Sequence, residues 1–176
     1  MPSTEELFGK AMSWPRLILK TAVEGILCYN FYSHATMEKT TWSCYANEFR
    51  QPNGIGPGNN VTETFTNNIY AGFVMTAIAF CVSLVEMINK KVGNKQLTVL
   101  VGILDTLLGL SAAAWLIWAT VIRLERSGKI CSGATTNVSE EVYPYAYAQG
   151  AFLQVMLVLC YTLPPILFVA TNCGCL

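Results

Sequence analysis

Four ionisable side chains sit where hydrocarbon would be expected. Lys20 and Glu24 lie four residues apart in one apolar stretch, Glu86 in a second and Asp105 in a third. At a rise of about 1.5 Å per residue, they lie roughly 8, 14, 3 and 12 Å in from the ends of their stretches that would share one side of a membrane. One cation among three carboxylates at neighbouring depths can do two kinds of chemistry. It can cross-link helices as an ion pair, or it can line a path for a proton or cation. Both readings stay open from sequence. One Lys cannot neutralise three acids, so one of them, Glu24, is expected to be protonated or hydrogen-bonded.

Cysteines supply the second chemistry. Cys44 and Cys131 each stand alone in a polar segment, about 33–68 and 127–147, and each segment carries one N-x-S/T sequon, at Asn60 and Asn137. Two apolar stretches separate these segments, so in a membrane they fall on the same side. A disulfide between Cys44 and Cys131 and glycans on Asn60 and Asn137 are the expectation for an oxidising, lumenal or extracellular face. Closing a loop of that length would add about 4–5 kcal/mol on a chain-entropy basis. Cys28, Cys81 and Cys160 fall within apolar stretches and read as small buried hydrophobes. Cys173 and Cys175 follow the last stretch and read as S-palmitoylation sites.

Other chemistries lack their residues. His34 is the only histidine, which removes bis-histidine haem and multi-histidine metal sites within one chain. It reads as a solvated residue at an interface. The chain carries no C-x-x-C, P-loop, G-x-S-x-G or H-E-x-x-H motif. The expectation is a non-enzymatic protein without cofactor or metal. Net charge is zero, so nothing suggests nucleic acid as a partner.

The elements that must position these groups are membrane spans. Only 12% of the 176 residues are charged, about half the share in a soluble domain. Stretches 15–32, 69–88, 97–122 and 148–171 approach the roughly 20 apolar residues that a span needs. The first is interrupted by charge, and Pro164-Pro165 is expected to kink the fourth. The acidic start lacks the basic region of a cleaved signal peptide, so the first span is expected to remain as an anchor. Ser3 to Glu6 reads as a capping box opening a short amphipathic segment, residues 1–14, on the inner leaflet. Residues 173–176 form a cytoplasmic tail. Basic residues divide almost evenly between the sides, so the sequons and cysteines carry the orientation, with both termini cytoplasmic. Gly109 with Ala113, the run Ser111 to Ala114, and Gly72 with Thr76 would let helices approach closely.

Asp105, the pair Trp115 and Trp118, Arg123 and the run Gly128-Lys129-Ile130-Cys131-Ser132-Gly133 resemble the third span and following loop of MARVEL-like tetraspan proteins. Tyr147-Ala148-Gln149-Gly150-Ala151-Phe152 is similar to their approach to the fourth span. The first loop lacks the Gly-Leu-Trp and paired cysteines of claudins and the three-cysteine pattern of connexins. The resemblance covers about a third of the chain. It implies an M-shaped arrangement, cytoplasmic termini and a role in membrane organisation, and carries over no catalytic residue.

These readings converge on an all-α, four-helix transmembrane bundle with a disulfide-linked extracellular cap, in the secretory pathway and at the plasma membrane. The expected partners are the lipid bilayer and another integral membrane protein or further copies of the chain. The alternative is a channel or transporter subunit that forms a pore as an oligomer.

Overall fold

The computed structural model describes residues 13–37, 44–46, 59–133 and 144–172. These are almost wholly helical. In chain order they form α1 (Trp14–Ala35), β1 (Tyr45–Ala46), β2 (Asn59–Asn60), α2 (Val61–Val92), α3 (Lys95–Leu124), α4 (Arg126–Cys131) and α5 (Pro144–Asn172). The two strands are a two-residue antiparallel ladder, Tyr45 opposite Asn60 and Ala46 opposite Asn59. Sequence periodicity gave no sign of it. The amphipathic 1–14 segment up to Met12, the sequon at Asn137 and the tail with Cys173 and Cys175 lie outside the described residues.

α1, α2, α3 and α5 each run beyond their apolar stretches, and polar caps extend α2 and α3. Ser13 supplies the carbonyl that receives the Leu17 amide at 3.0 Å, and Pro15 sits in the first turn, where its missing N–H is not needed. Asn60 caps α2, its Oδ1 accepting the Glu63 amide at 3.1 Å while its Nδ2 donates to the Glu63 carboxylate. Gly93, at φ +75°, ends α2 in the left-handed conformation that suits glycine. Asn94 then caps α3 by accepting the Gln96 amide at 3.0 Å. Asn89 ties this two-residue turn together, accepting the Asn94 amide and donating to Thr98 Oγ1. α5 continues as one helix across Pro164-Pro165.

Two helices, α2 and α3, are long and apolar enough to cross a membrane. Little of them is buried within the chain: 17% of the most apolar window of α2 and 11% of that of α3. Leu110, Ile117 and Ile88 are each more than 60% exposed. The apolar part of α5 within the described side chains, Ala146–Thr162, is shorter, and α1 carries too much charge to match α2 and α3.

The chain divides into two compact units. The first takes the described residues up to Ser33 together with Tyr70–Ala114, and the second takes those of His34–Ile69 and Trp115–Leu176. In the first, Phe31 lies against Gly72, where any Cβ would collide with its ring. In the second, Phe65, Ile69, Leu153 and Gln149 are fully buried.

Candidate functional site

The first unit contains the ion cluster. Lys20 projects from α1, and its Nζ lies 2.9 Å from Asp105 Oδ2 on α3 and 3.4 Å from Glu86 Oε2 on α2. The ammonium therefore bridges three helices. Lys20 and Glu86 retain 23% of their side-chain exposure and Asp105 retains 38%, so the cluster is half-buried rather than sealed. Glu24 follows Lys20 by four residues, the spacing that keeps both on one helix face. Its Oε2 is buried and lacks a hydrogen-bond partner. Ser83, fully buried on α2, faces the Glu24 carboxyl without completing a hydrogen bond. Glu24 is thus the acid that Lys20 leaves over. Of the two expectations for it, protonation or a hydrogen bond, Oε2 makes no hydrogen bond.

At the end of this unit, Lys90 Nζ stands 5.3 Å from the centre of the Trp14 ring, within cation–π range. A wholly apolar groove of about 400 Å³ runs between α2 and α3, lined by Ala77, Cys81, Val85, Leu100 and Leu104 among others. Cys81 opens onto it and is exposed, and Cys28 is half-buried, so the expectation of small buried hydrophobes does not hold for either. Each was placed inside a helix by its apolar neighbours, but a span buries only one face within its own chain. Cys160, in the second unit, is likewise half-buried.

The small residues of α3 also face outward. Gly109, Ser111, Ala112, Ala113 and Ala114 are all exposed, and a Cβ on Gly109 would meet nothing within 4 Å. The close approach they permit is not used within the first unit.

The second unit contains the clasp. Cys44 and Cys131 form a disulfide, Cα atoms 5.9 Å apart across 87 residues. Both cysteines are fully buried. Backbone bonds fasten the Cys44 side to the start of α2: the Val61 amide donates to the Cys44 carbonyl at 3.0 Å, and the Cys44 amide donates to Thr62 Oγ1 at 2.8 Å. Beside this, an open polar cavity of about 340 Å³ is lined by Asn60, Glu63, Thr64, Asn67, Glu125 and Ser127.

Further contacts of this unit have no counterpart in the sequence reading. Buried Arg123 donates from Nε to the Gly150 carbonyl at 3.0 Å. Trp115 Nε1 donates to the Asn68 carbonyl at 2.9 Å. Gln149 donates to Thr66 Oγ1 at 3.2 Å and to the His34 carbonyl at 3.4 Å. His34 is therefore half-buried rather than fully solvated. Its ring stacks on Phe152 at 4.1 Å, because the end of α1 meets α5 there. An isolated Gln beside Gly within an apolar run was the available signal, since such a polar group needs a partner. Both amide atoms of the fully buried Asn68 lack a partner among the described residues.

Among the described residues, no three His, Cys, Asp or Glu side chains converge where a metal could be held. No family model, curated protein or solved structure matches the chain.

Proposed function

We propose that the chain is a non-enzymatic, four-span membrane protein that acts by lateral packing, as an accessory subunit or membrane organiser of the MARVEL-like kind. α1 and α5 join α2 and α3 as spans in this reading, and both termini are cytoplasmic. The Cys44–Cys131 end is an extracellular cap, with glycans on the sequon loops and palmitate on Cys173 and Cys175. The observation that carries the proposal is the outward placement of apolar surface on α2 and α3. Helices that apolar would be largely buried in a soluble core, and here only small fractions are. Lipid, or another membrane helix, is the environment that removes the penalty of exposing them.

The small-residue face of α3 supports lateral contact specifically. Helix association in lipid depends on close backbone approach, and this face is small and uncovered. The Lys20 bridge supports a structural rather than conductive role, because the cation is engaged by two carboxylates. Recovery of the full-length protein from native membrane in mild detergent tests the proposal. A defined integral-membrane partner or a discrete homo-oligomer is expected. A monomer that carries ions across liposome membranes would overturn it.

A second reading, a pore-forming subunit, has one observation in its favour. Glu24 and Ser83 present unpartnered buried oxygens beside a cluster with more acids than cations. Flux of a monovalent cation or proton through reconstituted oligomers, lost in Glu24→Gln, would establish it.

A further inference from the structure

We infer that Asn60 accepts a glycan only before the Cys44–Cys131 disulfide closes, so that two covalent modifications of this loop compete in time. The inference rests on the lumenal reading of the loops proposed above. It goes beyond it by fixing an order of events.

A sequon is defined by two groups, the asparagine amide and the hydroxyl two residues on, and a usable one lies in an accessible loop. In the folded chain neither group is free. Thr62 is 2% exposed, and its Oγ1 holds the Cys44 amide. Val61 between them is 4% exposed and donates its amide to the Cys44 carbonyl. Asn60 pairs with Tyr45 in the ladder, and its side chain is tied to Glu63 through both amide atoms. The bonds to Thr62 Oγ1 and the Val61 amide, and the ladder pairing of Asn60, come from the segment that Cys44 anchors. Cys44 is held in turn by Cys131.

Synthesis leaves an interval in which the sequon is open. Cys131 follows Asn60 by 71 positions (131 − 60), and at about 5–20 residues per second it emerges about 4–14 s later. A sugar added in that interval remains compatible with the final fold, because Asn60 opens onto the polar cavity bounded by Glu63, Asn67 and Ser127. A disulfide formed first removes Thr62 from reach. The order therefore runs one way: glycan then bond gives a modified protein, bond first gives an unmodified one.

The test expresses Asn137→Gln, which leaves Asn60 as the sole acceptor, in cells with an oxidising lumen. Occupancy is read as a glycosidase-sensitive mobility shift. Partial occupancy is expected, rising to near completion when Cys44→Ser and Cys131→Ser are added. A reductant pulse during synthesis should raise occupancy in the protein that keeps Cys44 and Cys131 and leave the variant lacking both unchanged. The converse chain, Asn60→Gln, reports Asn137 with and without the cysteines and controls for general misfolding. Equal occupancy of Asn60 in both backgrounds, or a parallel rise at both sequons, would overturn the inference while a glycosylated Asn137 leaves the lumenal reading standing. Absence of glycan from both sequons in every background would remove both.

Discussion

The Lys20 ammonium lies 2.9 Å from the Asp105 carboxylate, two groups 85 positions apart in sequence that join α1 to α3. Glu86 stands 3.4 Å from the same nitrogen. A contact of this kind spends most of its Coulomb attraction on desolvation, so its worth shows when one partner is removed.

Lys20→Met is therefore expected to destabilise the protein by about 2 kcal/mol, because it leaves Asp105 and Glu86 facing each other without a cation. Partial exposure of the cluster keeps the figure below that of a sealed pair. Adding Asp105→Asn to Lys20→Met should recover part of the loss, and thermal unfolding in detergent compares the two. A double variant no more stable than the single one would show that the bridge is not what couples these helices.

Reducing the Cys44–Cys131 bond, or replacing both residues by Ser, should lower stability by about 4 kcal/mol or less, in line with the length of loop it closes. Peptide mapping under non-reducing conditions should recover the two cysteines in one linked fragment. Two free thiols there would contradict the clasp. Loss of the bond should also loosen the start of α2, read as faster amide exchange at Val61 and Cys44, whose bonds hold the ladder in place.

Lateral contact predicts a different response from the uncovered face of α3. Gly109→Leu and Ala113→Leu add bulk where the chain itself offers no obstacle at Gly109, so the folded monomer should keep its stability. Association with a partner helix should fall, since large side chains prevent close backbone approach. Cross-linking or energy transfer in native-like lipid reads that association. Unchanged association would assign the contact to another face.

The legible parts of this molecule are those set by long-range constraints on few candidates. Cys44 and Cys131 had no alternative partner in their loops, and Lys20 was the one cation at the depth of three acids. Helix cores followed from apolar length, but their ends did not, because Ser13, Asn60 and Asn94 add polar turns that hydropathy ignores. The Gln149 contacts and the His34–Phe152 stack depend on which helix faces meet, and sequence spacing on each helix alone does not determine that. The exposure of Cys81 has the same origin. An apolar helix face looks alike whether it meets protein or lipid.

Glu24 separates the two functional readings most sharply. Its carboxyl adds a third acid to a cluster with one cation, and its Oε2 is buried without a partner beside Ser83. If the cluster serves packing alone, Glu24→Gln removes surplus charge and supplies an amide that can donate to Ser83 Oγ. Stability should then hold or rise by about 1 kcal/mol, the opposite sign to Lys20→Met. Partner association should be unaffected, because the residue contributes to internal pairing. A conductive role predicts in addition a cation or proton flux in liposomes that this variant abolishes. Measuring unfolding, association and flux on this one variant decides between them, and lost flux with intact association would replace the structural proposal with the transport one.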